Sequence, residues 1–328
     1  MSAPLRAAFL AEAGPGVGLG HLRRCQALGT ALSSRGAVMR PLVAGDARAV
    51  AAGATRIDWT RDPELTVETL RAWRTEVAVV DAYGASPELL ECVAAVVALA
   101  VAVDDLADRR LPVHLVVNGA WHASRLTYRA RPDTLFLLSP EYTLLDPGFG
   151  SPPRRSLRDD VRRVLVTLGG DPPADALAAA VRAVRRAAPA AAIDLALGPF
   201  AQALDGTGNG VTAHRGLDSL RELMLGADLA VTGGGMTLYE CLATGVPAVG
   251  ICLADNQRAN VDALSQAGLI LGAEHSLENA VRRLATDSAL RRAMSARGRQ
   301  VVDGRGAARV ADAIERARLA VGVSRSAR

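Results

Sequence analysis

LAVTGGGMTLYECLATGVPAVGICLADNQRAN, residues 229–260, holds the reading that decides the fold. Leu229 to Thr232 is an apolar run of strand length, three glycines follow, and the spacing predicts a helix from Thr237 to about Thr244. A further strand is predicted over Val249 to Leu253, and Asp255, Asn256 and Gln257 stand where another helix begins. Strand, glycine turn, helix, strand is the repeating unit of a parallel sheet, whose strands are covered on both faces and so read as unbroken apolar runs.

The same plan recurs upstream. Val164 to Leu168 runs into Gly169, Gly170 and Asp171. Near the start, Leu5 to Ala11 runs into a turn with glycine at 14, 16, 18 and 20, then a helix from His21 to about Arg35 with Leu22, Cys25, Leu28 and Leu32 on one stripe. Other apolar runs fall at Val38 to Ala44, Val77 to Asp81, Val97 to Asp104, Leu115 to Val117, Thr134 to Leu138, Ile193 to Leu197 and Leu269 to Leu271. The chain has 328 residues, half of them hydrophobic and only 3% aromatic, so its cores are expected to be built from Ala, Val and Leu. A Pro-, Gly- and charge-rich stretch, DPGFGSPPRRSLRDD from Asp146 to Asp160, reads as a linker. The expectation is an α/β chain of two doubly wound, Rossmann-like domains, 1–147 and 148–328. The helical stretch from Leu277 to about Ala320 is expected to pack on the second domain and finally to cross back to the first. Such sheets bind ligands at the carboxyl ends of their strands, which places the expected site in a cleft between the domains.

Composition removes several mechanisms. All 38 basic residues are arginines, so no lysine forms a Schiff base or serves as a P-loop lysine. The net charge is +4 and the arginines alternate with acidic residues, so no nucleic-acid stripe is expected. Cys25, Cys92, Cys241 and Cys252 are too scattered for a zinc site and are expected to be reduced and buried. The carboxylates lack the pairing of a committed metal site, so none is expected. Neither a signal peptide nor a membrane span is legible, and a cytoplasmic protein is expected.

Three turns carry the candidate chemistry. Gly18 and Gly20 precede His21 at the start of a helix, where the macrodipole favours a neutral ring and free N–H groups meet an anion. The third glycine position of a dinucleotide fingerprint is taken by His21, so that motif fails. A tight structural turn with a loop-bonding histidine is the plainer alternative. Gly169 and Gly170 end one strand of the second half. Gly234, Gly235, Met236 and Thr237 end another and open a helix, where backbone N–H groups and a hydroxyl suit a diphosphate. Glu240 is placed for ribose hydroxyls, with a capping box to Thr237 as its alternative. Asn256 and Gln257 suit sugar hydroxyls or amides, with a helix N-cap as the alternative for Asn256.

Taken together, GLGHLRRCQALGTAL, VVDAYG, VLVTLGGD, VTGGGMTLYECLATGVPAVGI and LADNQRAN resemble the nucleotide-sugar hydrolases of pseudaminic acid biosynthesis. The C-terminal block is similar also to the peptidoglycan N-acetylglucosaminyltransferase. The resemblance implies a GT-B fold and hydrolysis of a UDP-linked sugar. It makes His21 the base that activates water, gives Tyr83 and Asn256 functional roles, and requires no metal or other cofactor. The chain departs from the family where an arginine, an aspartate and a serine are usual: Leu10, Glu12 and Gly14 stand there, at positions expected to face the sugar. Transfer to a small-molecule or lipid acceptor is therefore a competing expectation, and nucleotide-sugar binding without turnover a third. The segment WHASRLTYRARP, with Trp121 and Tyr128, is the candidate acceptor surface. An exposed apolar and basic face there favours transfer, and a covered one favours water.

Overall fold

The computed structural model describes residues 4–46, 54–153, 155–202, 209–273 and 276–326. The chain forms two compact units, Met1–Pro147 with Arg305–Arg328, and Gly148–Gly304. The linker expected at 146–160 therefore begins at the first crossing between units. The second unit ends at Gly304 rather than at 328, and the closing helical segment, expected finally to cross back to the first domain, belongs to unit 1 from Arg305 on.

Unit 1 contains β1 (Arg6–Ala13), α1 (Gly20–Ser33), β2 (Val38–Gly45), β3 (Thr55–Arg56), α2 (Pro63–Ala72), β4 (Val77–Asp81), α3 (Pro87–Val96) and β5 (Leu99–Val103). It continues with β6 (Arg110–Leu111), β7 (Leu115–Asn118), β8 (Arg129–Ala130) and β9 (Leu135–Leu138). Its main sheet has the order β3-β2-β1-β4-β5-β7-β9 with parallel pairing throughout, and β6 pairs with β8 apart from it. Every residue of β4 and β5 is buried, which is why both read as unbroken apolar runs. On one face, α2 and α3 close a core around Leu10, Leu42, Trp59, Leu70 and Leu89. Both helices start as their sequences dictate. Asp62 and Ser86 accept the N–H groups of Leu65 and Leu89, and Pro63 and Pro87 follow at the first helical position. Each cap is worth about 1 kcal/mol.

Unit 2 contains β10 (Arg163–Thr167), α4 (Ala174–Ala187), β11 (Ala192–Ala196), β12 (Val211–His214), α5 (Arg221–Gly226), β13 (Leu229–Gly233) and α6 (Thr237–Thr244). It continues through β14 (Ala248–Ile251), α7 (Asp255–Gln266), β15 (Leu271–Gly272), α8 (Leu277–Thr286) and α9 (Ser288–Val301). The sheet order is β12-β11-β10-β13-β14-β15, again all parallel. The chain closes with α10 (Gly306–Ser326), which packs on α1 and β5 of unit 1. Ala307, Val310, Ala311 and Ile314 bury its inner stripe, and Arg35–Asp312 and Glu76–Arg318 ion pairs fix it from outside.

Both sheets reverse their winding next to their first strand, between β1 and β4 in unit 1 and between β10 and β13 in unit 2. At such a point the loops leave in opposite directions and open a crevice at the carboxyl ends of the strands. The glycine turns lie there.

Candidate active site

In unit 1 the crevice is lined by the ends of β1, β4 and β5 and the start of α1. Asp81, the last residue of β4, is fully buried. His21, the second residue of α1, reaches it through Nδ1, 2.5 Å from Asp81 Oδ1. Arg24, one turn further along the same helix face, grips the carboxylate from the side, with Nε 2.9 Å from Oδ2 and Nη2 2.7 Å from Oδ1. Its remaining nitrogen, Nη1, donates to Asp105 Oδ2 at 2.5 Å, just past the end of β5. Tyr83 stands edge-on to the imidazole with ring centroids 4.5 Å apart, and its hydroxyl lies 3.5 Å from Asp105 Oδ2.

The electrostatics fix this arrangement. Burial by itself would raise the Asp81 carboxyl, but the Arg24 guanidinium and His21 outweigh it and hold the group below the usual carboxylate range. Burial alone would likewise weaken the Arg24 cation, yet Asp105 and Asp81 raise it well above its ordinary value. Asp81 is thus an anion, and an anion against Nδ1 demands a proton there. Arg24 Nη2 also lies 3.0 Å from Nδ1. In the neutral ring, the tautomer that satisfies the carboxylate carries its proton on Nδ1 and leaves the Nε2 lone pair to accept one.

The rest of the first turn is plainer than the sequence suggested. Gly14 and Gly18 bond each other in both directions, at 3.1 and 2.7 Å, and close the turn on itself. The Gly18 N–H is spent there, and its φ of +78° is one that a side chain rarely adopts. Gly20 is the exposed first residue of α1, with nothing within 4 Å of the Cβ position. Leu10, expected to face the sugar, is wholly buried in the core on the far face of β1. That correction follows from alternation along a strand, which turns residue 10 away from α1. Glu12 does reach the crevice edge, where its Oε2 accepts the Gly84 N–H at 3.1 Å.

Asp81, Arg24 and Asp105 were not singled out from the sequence. The available signal was an aspartate closing an otherwise apolar strand in VVDAYG. Of the other histidines, His114 accepts the Ala100 N–H and His214 lies 2.9 Å from Asp194, while His275 lies outside the described residues. Among the four cysteines, all free, Cys25 and Cys241 are buried as expected, but Cys92 is exposed and Cys252 half-buried.

In unit 2 the crevice holds the start of α6. Met236 holds the cap position of α6 without a side-chain cap, so Thr237, considered as the cap of a box with Glu240, falls at the first helical position instead. Among the described residues no acceptor is placed on the N–H groups of Gly235, Met236 and Thr237. Gly234 differs from its neighbours: its N–H donates to Gln257 Oε1 at 3.0 Å, and its carbonyl accepts Asn260 Nδ2 at 2.7 Å. The same Gln257 oxygen accepts the Leu253 N–H at 3.1 Å, so this side chain ties the ends of β13 and β14 together. A Cβ at Gly234 would lie 2.6 Å from Val261 Cγ2, whereas one at Gly235 meets open space. Gly169, with φ +100°, and Gly170 end the adjoining β10. Gly198 passes so close that its Cβ would lie 2.4 Å from both of their carbonyl oxygens. Asn256 is exposed in the first turn of α7, and the N-cap role considered for it belongs by position to Ala254.

Two doubly wound parallel sheets of this order define the class, and the chain has the GT-B fold. Acinetobacter baumannii MurG superimposes with a TM-score of 0.63 at 15% identity, covering 95% of this chain and 100% of its own. LpCGTa in complex with UDP gives 0.66 at 13% identity, covering 96% and 99%. The Streptomyces sp. SF2575 glycosyltransferase SsfS6, complexed with thymidine diphosphate, gives 0.63 at 15% identity, covering 95% and 99%. By sequence, the chain is similar to the spore coat polysaccharide biosynthesis protein SpsG of Bacillus subtilis (strain 168). The two are 24% identical over 211 residues, 60% of this chain and 62% of that protein. It is also 26% identical over 164 residues to the uncharacterized protein MJ1062 of Methanocaldococcus jannaschii, 45% of this chain and 34% of that protein. The chain thus matches less than two thirds of the length of these curated relatives. No family model matches it. Among the described residues no helix is long and apolar enough to cross a membrane.

Proposed function

We propose that this chain transfers a sugar from a nucleoside-diphosphate sugar to an acceptor hydroxyl, with His21 as general base. The observation that carries the reading is the His21–Asp81 pair, in which a buried anion 2.5 Å from Nδ1 leaves Nε2 to take a proton. The acceptor oxygen attacks the anomeric carbon as its proton passes to Nε2, and the bond from that carbon to the diphosphate oxygen breaks. The nucleoside diphosphate departs with the bonding electrons. Its charge is met by the N–H groups of Gly235, Met236 and Thr237 at the positive end of α6, with the turn of Gly169 and Gly170 at the neighbouring strand end. Glu240 is assigned to the ribose hydroxyls, Tyr83 and Asn256 to the sugar. UDP is the preferred nucleotide of this reading, and the structural neighbours named above hold UDP and thymidine diphosphate.

An acceptor other than water is supported by the surface around the segment 121–132. Arg125 and Arg129 are exposed there, and Leu135 and Phe136 on the adjacent β9 are 55% and 42% exposed, with Phe136 5.6 Å from the Tyr128 ring. The Tyr128 hydroxyl itself is committed, accepting from Asn118 and donating to the Asp104 carbonyl. Hydrolysis is the second reading, supported by the order of GLGH, VDAYG and ADNQ, which resembles the nucleotide-sugar hydrolases.

The deciding experiment follows nucleotide release from UDP-, dTDP- and GDP-sugars, first alone and then with amphiphilic hydroxyl acceptors. Transfer is expected to give slow release alone and at least tenfold stimulation by an acceptor, abolished in His21→Ala. Release at full rate without acceptor establishes hydrolysis instead. Tight UDP binding with no release under any condition overturns both.

A further inference from the structure

Unit 1 contains a cavity that the proposed reaction does not use. It lies between α1 and the face of β1 and β2 opposite the core described above, and has a volume of about 340 Å³. That is within the range of about 300–1,000 Å³ typical of small-molecule sites. Its floor is Phe9 and Ala11 of β1 with Met39, Pro41 and Val43 of β2, and its wall is Leu22, Cys25 and Gly29 of α1. Gln26, Thr30 and Ser33, all exposed, form the polar rim on the solvent side of the helix.

The spacing 22, 25, 26, 29, 30, 33 is one stripe of a helix, next to the stripe that turns His21 and Arg24 towards β4. The two sites are therefore separate faces of the same element. None of the lining side chains is charged. Burial, joined by the nearby Asp81 charge, pushes the Cys25 thiol well above its ordinary value and keeps it neutral.

Gly29 supplies the second observation. A glycine inside a helix is destabilising relative to alanine, and it is usually retained where a side chain would clash. Here nothing clashes: a Cβ at position 29 would meet Phe9 at 3.7 Å and Met39 at 3.9 Å, ordinary contact distances. The position has room for a side chain, and glycine leaves that room open to the space beside it. The cavity opens to solvent along Gln26, Thr30 and Ser33, while its apolar walls hold water poorly.

We propose that this cavity is a second ligand site, which takes a neutral, predominantly apolar molecule. Its chain or ring lies over Phe9 and Met39, and its one polar group meets the rim of Gln26, Thr30 and Ser33.

The test is titration of the whole protein with the neutral dye phenylnaphthylamine, followed by displacement with straight-chain alcohols from hexanol to dodecanol. One saturable site per chain is expected. Each added methylene should tighten displacement about fourfold until the cavity is full, and not thereafter. Gly29→Leu fills the space and should weaken binding at least tenfold with an unchanged or raised melting temperature, while Gly29→Ala gives an intermediate loss. If Gly29→Leu fails to fold, Gly29→Ala and the alcohol series decide. Phe136→Ser, on the exposed apolar strand, should leave binding unchanged. Unsaturable binding, full binding in the folded Gly29 variants, or loss of binding in Phe136→Ser overturns the proposal.

Discussion

Replacing Asp81 by Asn tests the proposed chemistry most directly, because it keeps the shape of the side chain and removes only its charge. Asp81 accepts from His21 Nδ1 and from two nitrogens of Arg24 while fully buried. An amide at this position turns an NH2 group or a neutral oxygen towards the ring, and the demand for a proton on Nδ1 disappears. The tautomer with its proton on Nε2 then becomes available, and that ring is no base for an acceptor hydroxyl. A positioned base contributes about 10²–10⁴ in rate, or roughly 3–5 kcal/mol of barrier, so kcat is expected to fall by that order. Stability should fall too, since Arg24 keeps only Asp105 as a carboxylate partner. Breaking a buried pair costs about 3–5 kcal/mol and, in a domain of this size, about 6–20 °C in melting temperature. UDP affinity, assigned to unit 2, should stay within a few-fold of wild type by calorimetry. Activity must therefore be measured below the lowered melting temperature, with circular dichroism confirming the fold. Near wild-type turnover by a folded Asp81→Asn protein would refute the assignment of His21 as an Asp81-oriented base. The stability difference also has a defined pH dependence. The carboxyl is held below its ordinary value in the folded protein, so its contribution is complete above an ordinary pKa of 3.8 and is lost as pH falls through the lower, folded value. Urea midpoints of the two proteins should thus differ most above about pH 5 and converge in stronger acid.

Other expected outcomes follow from the same geometry. Gly235→Val places its side chain in open space beside the N–H groups at the start of α6 and should weaken UDP binding at least tenfold by calorimetry without lowering the melting temperature. Gly234→Val, by contrast, drives a Cβ into Val261 and Gln257 and should destabilise the fold itself. Tyr83→Phe removes only a hydroxyl 3.5 Å from Asp105 and keeps the edge-on ring against His21. Its melting temperature should stay within about 2 °C of wild type, as for a partly exposed side chain, and a change in sugar KM larger than in kcat would mark it as a sugar contact. Because the leaving diphosphate is assigned to backbone N–H groups, turnover should survive EDTA, and strict dependence on added magnesium would count against that assignment.

The alternation of apolar runs with glycine turns sufficed to read a parallel α/β chain, because a strand buried on both faces announces itself locally in runs such as Val77–Asp81. The same local signal located the turn before His21 and the start of α6. It was silent for β12, whose sequence Val-Thr-Ala-His at the sheet edge has no apolar run, and for the two-residue strands β3, β6 and β8. The composition of the histidine site was beyond its reach. His21 meets Asp81 across 60 positions and Arg24 meets Asp105 across 81, contacts that exist only because β4 is laid beside β1 and β5 beside β4 in the sheet. Tertiary structure also separated glycines that look alike in sequence. Gly234 is enclosed by Val261 and Gln257 from α7, and Gly235 opens to solvent. It likewise took Leu10 away from the site and set the point, after Gly304, at which the last helix returns to unit 1. Periodicity is set by a residue's own neighbours along the chain and is legible there, whereas the pairing of buried charges and the space around a glycine are set by strand order, which is decided only when the sheet assembles.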